Sequence, residues 1–527
     1  MESWDVVIVG GGVAALRAAI AASDAGASVM TFHAAAASSA AGGAPTAGIA
    51  ASLGEPDTRG HIEDTVSASD ALCDASVVAD RCDSAFEHLA ELEQWGLLCR
   101  RDAAGAPHLS GALGHRSARL AGCGDVTQRQ MVRLLEEQCM KRGIPRKADV
   151  LGLRLIADND QIRGLIVLDV QTGAVAPIQA KTVVLATADH SGIWNGAATA
   201  SGTGAVLALD AGVSLSGMEF TTWHPLCVAD TDLVLPIELL DAGARLRLVS
   251  GDDIETGGVG MTELCRTMSD QSCVLDARGV PHGVRVWFQQ AADRLSARAS
   301  LDMWSYVIPL QPRAVHGLGG APTDGHGRVL LTDRDVWLTG LHAAGGSASS
   351  GMHGAEALVG NILLDELAGG AVAGRHAGEW SLNARLGGGE LLEASADEMA
   401  ERLDHLLTAD AEGSTVGATE AAMLRVMEQH VGISRDADGL DSALRTITEL
   451  AGQQMRLTDH SPVMNTELVR SIQLEGLLML ARTTITAASA RRESRGAHNR
   501  TDHPARNEEA NHILVDADGA VADMPCA

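Results

Sequence analysis

The stretch that decides the fold is DVVIVGGGVAALRAAIAA, residues 5–22. A short apolar run is typical of a buried strand, and here it leads through three glycines into an alanine-rich segment with helical spacing. Gly10, Gly12 and Ala15 fill the pattern G-x-G-x-x-G/A. The first glycine of this pattern allows a tight turn, the second lets the backbone approach a pyrophosphate, and the third small residue lets the helix pack closely. The sequence therefore predicts a dinucleotide site at a helix N-terminus.

The residues after this helix bear on which nucleotide is bound. A second predicted strand ends at Phe32–His33, and no Asp or Glu follows to bind a ribose hydroxyl, which argues against a plain NAD(P) dehydrogenase. The next segment, residues 33–54, is rich in Ala, Ser and Gly. Such a segment is either a flexible linker or a loop whose backbone amides wrap the pyrophosphate. Its position directly after the second strand favours the loop, with His33, Ser38 and Ser39 as cofactor contacts.

Composition excludes several classes of protein. The chain has 527 residues and a formal net charge of −28, which argues against a nucleic-acid partner because phosphates would be repelled. Its nine cysteines include no C-x-x-C pair, so neither an iron–sulfur cluster nor a structural zinc is expected within it. No signal peptide and no apolar run of about 18 residues is found, which predicts a cytoplasmic chain without a membrane span.

The apolar pattern divides the chain into segments of different character. Strand-like and helical stretches alternate at both ends of a segment that carries mixed charge and no nucleotide motif, and a long helical region follows. We expect a nucleotide-binding domain in two parts (1–225 and 313–380), a smaller inserted domain (226–312), a helical C-terminal domain (390–500) and a polar tail (501–527).

Several long stretches resemble the flavoprotein subunits of succinate dehydrogenase and fumarate reductase, with L-aspartate oxidases as close relatives. The stretches occur in the family's order along most of the chain; the most specific are SGTGAVLALDAGVSLSGMEFTTWHP (201–225), GLHAAGGSASSGMHGAEALVGNILLDELAGG (340–370) and the stretch from MNTELVRS to ESRGAHNRTDHPARNEE (464–509). The resemblance implies an α/β fold in which a Rossmann-like FAD-binding domain carries an inserted α+β capping domain and a helical C-terminal domain.

The resemblance also implies which residues contact FAD. It assigns the glycine turn and the 33–49 loop, which includes Gly48 and Ile49. It also assigns the following cofactor positions: Thr203, Gly345, Gly346, Asn361, Ile362 and Leu363. Ala41 stands near the position of the histidine that binds FAD covalently in the family's dehydrogenases, so we expect FAD to be bound non-covalently. Thr203 replaces an Asp of the family motif and Gly346 replaces a Glu.

The family transfers a hydride between a small dicarboxylate and flavin N5, which requires cations for two carboxylates and a proton donor or acceptor. The resemblance assigns catalytic roles to His224, Glu238, Arg266, His316 and His353. Three other family positions have changed: Met261 replaces the proton-shuttling Arg, Val315 replaces a His with His316 one residue later, and Ala357 replaces the Arg that clamps a carboxylate. Since Arg binds a carboxylate through two parallel hydrogen bonds, the dicarboxylate clamp is largely lost.

Three functions remain open at this point. The first is an FAD-dependent oxidoreductase of the succinate dehydrogenase and fumarate reductase kind, working with an iron–sulfur subunit that would bring it to the cytoplasmic face of a membrane. The second is an L-aspartate oxidase type of enzyme. The third is an FAD-binding protein whose dicarboxylate activity is lost or repurposed. The segment RRESRGAHNRTDHP (491–504) resembles a stretch near the iron–sulfur interface, although it also fits a salt-bridged terminal layer.

Overall fold

A computed structural model describes residues 1–34, 48–195, 200–331, 336–408 and 413–525. The strands within these ranges are β1 (Glu2–Val9), β2 (Val29–His33), β3 (Ile49–Ala50), β4 (Leu120–Ala121), β5 (Arg146–Ala148), β6 (Val150–Asp158), β7 (Gln161–Asp169), β8 (Ala174–Leu185), β9 (Leu215–Ser216), β10 (Thr221–His224), β11 (Arg245–Leu248), β12 (Cys273–Asp276), β13 (Ile308–Leu310), β14 (Arg313–Gly317), β15 (Ala321–Pro322), β16 (Arg328–Leu330), β17 (Trp337–Ala343), β18 (Ala348–Ser349), β19 (Ser414–Thr415), β20 (Ser434–Arg435), β21 (Met455–Arg456), β22 (Asn499–Arg500), β23 (Asn511–Val515) and β24 (Val521–Pro525).

The helices in the same ranges are α1 (Val13–Asp24), α2 (Asp57–Ala68), α3 (Ala75–Trp95), α4 (Thr127–Lys141), α5 (Thr203–Asp210), α6 (Met261–Ser269), α7 (His282–Arg285), α8 (Gln289–Ala299), α9 (Asn361–Ser381), α10 (Gly389–Thr408), α11 (Val416–His430), α12 (Ala437–Ala451) and α13 (Thr466–Ala490). The predicted strand–turn–helix–strand at the start of the chain is confirmed. α2 and α3 are separate helices because Asp70 and Ala71 adopt positive φ and Asp74 caps the start of α3.

The largest sheet has the strand order β16-β17-β7-β8-β1-β2-β5, and β6 pairs with β7. β1 lies at its centre between β2 and β8, parallel to both. Its apolar residues Val6, Val7, Ile8 and Val9 are buried on both faces, which is typical of a parallel strand covered on both sides. The carboxyl ends of β1, β2 and β8 therefore meet at one edge, where an open α/β sheet binds its ligand.

Helix α9 packs on α1 through an unusually close backbone contact. Gly370, Gly374 and Gly378 recur at every fourth position of α9 and face Ala14, Ala18 and Ala22 of α1. A Cβ atom added at Gly374 would lie 2.2 Å from the carbonyl oxygen of Ala18. Only glycine allows this approach, which fixes α1 against the second part of the nucleotide-binding region.

Residues 226–312 contain a separate three-stranded antiparallel sheet, in the order β11-β12-β13, and a separate hydrophobic core. Two carboxylates from outside this segment hold its helices. Asp125 accepts a hydrogen bond from the Ala291 backbone N–H in α8, and Glu356 accepts one from the Thr262 backbone N–H in α6. The inserted segment is therefore fixed to the nucleotide-binding region at the first turns of two helices.

The end of the chain differs from the sequence expectation. Residues 501–527 were expected to form a polar tail, but β23 and β24 form an antiparallel hairpin and β23 also pairs with β9. The run Ile513, Leu514, Val515 is buried, which explains why this segment joins a sheet. In the preceding segment, buried ion pairs link Arg491 to Glu219 and Glu493, as a salt-bridged layer requires. Within the described ranges, no helix is long and apolar enough to cross a membrane.

Candidate active site

A deep cleft opens at the carboxyl edge of the large sheet, where the two halves of the nucleotide-binding region meet. It is lined by the glycine turn and by residues of several other elements: Val9, Gly10, Gly11, Gly12, Val13, Ala14, Phe32, His33, Ala34, Gln128, Val150, Leu151, Gly152, Ala186, Thr187, Ala188, Asp189, Ala200, Ser201, Thr203, His316, Gly346, Glu366 and Gln473. The glycine turn thus lies where the sequence predicts a dinucleotide.

The glycine turn fits a pyrophosphate. Gly10 has φ +143°, and a Cβ atom there would lie 2.1 Å from the carbonyl oxygen of Ala186. Gly12 precedes the first turn of α1 without any side-chain cap, so the first backbone N–H groups of α1 stay available to an anion. Ala15 does not line the cleft and instead packs beside Gly10, which is the close helix–strand packing expected of this position.

The other expected cofactor contacts fall into three groups. His33, Thr203 and Gly346 line the cleft, whereas Ser38 and Ser39 lie outside the described residues. The remaining expected residues do not line the cleft in this structure: Gly48, Ile49, Gly345, Asn361, Ile362 and Leu363. The side chain of Asn361 is engaged elsewhere, since it bonds His61 and Thr65 on α2.

His316 faces the cofactor cleft because β14 contains a bulge. In the pairing of β10 with β14, Thr222 opposes His316 and Trp223 opposes Ala314, which leaves Val315 as the extra residue. A bulge redirects the neighbouring side chains. His316 Nδ1 lies 2.9 Å from Oδ2 of Asp189, and both residues are buried. The ion pair and hydrogen bond to Asp189 raise the pKa of His316 despite its burial.

Two acidic residues of this site were missed in the sequence. Asp189 follows β8 at the carboxyl edge of the sheet, and Glu366 lies in the second turn of α9. Position 346 has no room for a side chain, since a Cβ atom there would lie 2.4 Å from the Asp189 backbone nitrogen. Gly346 therefore contributes no acid, and the two acids that line the cleft come from other elements. An Asp four residues after the end of a buried strand was the signal available for Asp189.

His224, at the end of β10, and Glu238, within the inserted segment, are both buried. His224 Nδ1 accepts a hydrogen bond from the Leu226 backbone N–H. Burial lowers the pKa of His224 to about 3, so the ring is neutral and its proton is on Nε2. His224 can therefore donate one neutral hydrogen bond to a substrate oxygen, although it supplies no positive charge.

The positions that replace the family's clamp are buried and apolar. Met261, Val315 and Ala357 are 5%, 2% and 4% exposed. Glu356, next to Ala357, holds the first turn of α6, and burial raises its pKa. Each position contributes packing in place of positive charge.

The other two catalytic candidates, Arg266 and His353, have surroundings different from those of His224. The side chain of Arg266 is exposed on α6. His353 Nε2 lies 3.5 Å from Oδ2 of Asp365, a buried carboxylate that also accepts a hydrogen bond from Ser350 and contacts Arg81. His353 is therefore part of an ion-pair cluster at the start of α9.

The fold and the cleft together define a dinucleotide-binding α/β protein with an inserted domain. A family model described as "FAD binding domain" matches residues 5–363, and one described as "Fumarate reductase flavoprotein C-term" matches residues 420–520. The chain belongs to the succinate dehydrogenase and fumarate reductase flavoprotein family, and it is an FAD-dependent oxidoreductase.

Similar proteins match this chain over nearly its whole length. The succinate dehydrogenase flavoprotein subunit of Rickettsia felis is 27% identical, covering 96% of this chain and 91% of that protein. The fumarate reductase flavoprotein subunit of Mycobacterium tuberculosis is 28% identical, covering 97% of this chain and 94% of that protein. A structure of a variant E. coli quinol fumarate reductase superposes with a TM-score of 0.92 at 25% identity, covering 100% of this chain and 97% of that one.

Proposed function

We propose that this enzyme transfers a hydride between a carbon atom of a small carboxylate substrate and N5 of a non-covalently bound FAD. The observation that carries the proposal is the β10–β14 pair, which brings buried His224 and the cleft-lining His316 onto neighbouring strands. The flavin, when bound, supplies hydride chemistry at N5. His224 would bind a substrate oxygen through Nε2–H, and the inserted segment would exclude water from the site.

The buried apolar positions restrict the class of substrate that the site can bind. A charge-assisted hydrogen bond to a carboxylate contributes about 2–4 kcal/mol, or roughly thirty-fold to a thousand-fold in rate. Met261 and Ala357 supply no such bond where the family has arginines. We therefore infer a substrate with one carboxylate, bound by His224, and an apolar end, because Met261, Val315 and Ala357 replace charged or polar residues of the family. Succinate and fumarate would then be turned over slowly.

The test is an anaerobic titration of the purified flavoprotein with succinate, L-aspartate and butyrate, followed by flavin absorbance. Bleaching by butyrate in preference to succinate supports the proposal. Bleaching by succinate at a comparable rate contradicts the one-carboxylate substrate, and hydrogen peroxide formed from aspartate in air supports the L-aspartate oxidase alternative. His224→Gln should slow the bleaching, whereas His282→Gln, at an exposed position, should not. A flavin that responds to none of these acids contradicts the proposal and favours a protein with lost or repurposed activity.

The attachment of FAD and the electron partner are separate parts of this proposal. Ala41 provides no imidazole for a covalent bond, so acid precipitation should release all flavin into the supernatant. The relatives are named as flavoprotein subunits, and we infer that an iron–sulfur subunit accepts the electrons and holds the chain at the cytoplasmic face of a membrane. Purification of the tagged chain from its host, followed by iron analysis and size-exclusion chromatography, tests this. A flavoprotein that elutes as an iron-free single chain contradicts it.

A further inference from the structure

Three ionisable side chains lie together in the FAD cleft. Asp189 comes from the loop after β8, His316 from β14 and Glu366 from α9, and all three line the cleft. None of them is needed to bind the substrate proposed above. We call them the cleft triad. Three separate elements of the chain meet here, and each places an ionisable group on the same cofactor cleft.

The sheet topology shows which half of the cofactor the cleft triad faces. β2 lies on one side of β1 and β8 lies on the other. In a dinucleotide site the adenosine half lies over the strand that follows the glycine-turn helix, which here is β2. Phe32, His33 and Ala34 line that side. The cleft triad lies on the β8 side, so it faces the flavin half of the cofactor.

Asp189 is held rigidly as a carboxylate. Its Oδ1 accepts hydrogen bonds from the backbone N–H groups of Ser191 at 2.7 Å and Gly317 at 2.8 Å, and its Oδ2 pairs with His316. These interactions hold the pKa of Asp189 well below its usual range although burial opposes this. A fixed carboxylate behind Nδ1 orients the imidazole ring and keeps it protonated.

The opposite edge of the His316 ring is available to a ligand. Nδ1 is used by Asp189, and no described residue accepts a hydrogen bond from Nε2. The charged groups around His316 are Asp189, Glu366 and Asp365, with His190 beside Asp189 and with Arg81 and His353 on Asp365. Burial raises the pKa of Glu366 to about 7, so this acid carries only part of a negative charge at neutral pH.

We propose that the Asp189–His316 pair stabilises the reduced flavin by donating a hydrogen bond from His316 Nε2 to the ring. Reduction of the flavin by two electrons and one proton leaves one negative charge on the ring, and a preoriented imidazolium lowers the free energy of that form. The electrons come from the substrate in turnover and from dithionite in the test below. The inference rests on the proposed function only in requiring bound FAD, because no substrate takes part in the test.

The test is the midpoint potential of bound FAD, measured anaerobically at neutral pH by dithionite titration with a reference dye. His316→Gln keeps a hydrogen-bonding side chain without the charge, and we expect the equilibrium constant for reduction to fall at least tenfold, or about 30 mV. Asp189→Asn should shift the potential in the same direction. His282→Gln is the matched control and should leave the potential unchanged. An unchanged potential in His316→Gln overturns the proposal.

Two further measurements keep the result interpretable. If His316→Gln loses its flavin, Asp189→Asn and His316→Tyr decide the question, and unchanged potentials in both overturn the proposal. A wild-type protein that binds no FAD refutes the proposed function, which the visible spectrum reveals before any potential is measured.

Discussion

Arg491 is expected to be a major determinant of stability because it neutralises a fully buried carboxylate. Its Nε donates to Glu219 Oε1 at 2.8 Å, its Nη1 donates to Glu493 Oε1 at 2.8 Å, and its Nη2 donates to the carbonyl oxygen of Asn511 at 2.8 Å. The side chains of Arg491, Glu219 and Glu493 are 4%, 0% and 2% exposed. The guanidinium also lies 5.0 Å from the ring centroid of Phe220.

The expected effect of Arg491→Met falls mainly on Glu219. Glu493 keeps two hydrogen bonds from Arg495 and one from the Asn507 backbone N–H, so its charge stays neutralised. Glu219 loses the ion pair to Arg491 and remains buried. Removing one partner of a buried ion pair costs about 3–5 kcal/mol, whereas replacing both partners by apolar side chains is often close to neutral. We therefore expect Arg491→Met to lower the free energy of unfolding by about 3–5 kcal/mol.

A double-mutant cycle tests this reasoning. Urea unfolding of the holoprotein, followed by tryptophan fluorescence and by flavin release, gives the stability of Arg491→Met, Glu219→Met and the double variant. We expect the double variant to regain at least about 2 kcal/mol relative to the sum of the single changes. Additive losses in the three variants would refute the view that an unpaired buried charge causes the destabilisation. Arg506→Met, which changes an exposed arginine of the same segment, is the matched control and should cost less than about 1 kcal/mol.

Two further predictions concern the cofactor edge and the inserted segment. Gly10→Ala places a Cβ atom against the carbonyl oxygen of Ala186 and should abolish FAD retention on a desalting column, whereas Gly251→Ala, with φ +107° and open space around it, should retain FAD. Burial raises the pKa of Asp125 from 3.8 to about 6, so the folded chain binds this proton more tightly than the unfolded chain. The resulting stabilisation is complete below about pH 3.8 and is lost as the pH rises to about 6. Asp125→Asn keeps an acceptor for the Ala291 N–H but does not titrate. Its free energy of unfolding relative to wild type should therefore increase by about 1 kcal/mol between about pH 4.5 and 7.5, after allowance for solvent screening. The same difference between variant and wild type in urea unfolding at the two pH values would contradict this.

The sequence predicts the parts of this fold that depend on local pattern. The apolar run before Gly10 and the alanine-rich run after it define β1 and α1, because burial on both faces and helical spacing are both visible in one stretch. The turn at Asn159–Asp160 separates two apolar runs and forms the β6–β7 hairpin, in which both turn residues adopt positive φ. The terminal hairpin was missed because the polar residues before and after Ile513–Val515 obscure a short run that is buried only against β9.

The site depends on contacts that no local pattern reveals. A single extra residue, Val315, decides which side chains of β14 face the cleft, since a slip of one residue moves every following side chain to the other face of a strand. The cleft triad combines residues 189, 316 and 366, which are brought together only by the sheet topology. The side chain of Asn361, an expected cofactor contact, bonds His61 and Thr65 on α2, because a buried amide must satisfy its hydrogen bonds with the nearest partners.

The three closely packed glycines of α9 limit which substitutions this chain can accept under selection. At Gly370, Gly374 and Gly378 every alternative residue is larger, and the neighbouring atoms belong to the backbone of α1, which cannot move aside. A mutant library selected only for soluble protein should therefore keep these three glycines, since the constraint is steric and independent of redox chemistry. In the same library Asp189 and His316 should change only together, because the loss of one partner leaves the other buried and unpaired. Selection for flavin reduction should then restrict both positions to the native pair. A single sequencing experiment would thus separate the positions that build the scaffold from those that serve the reaction.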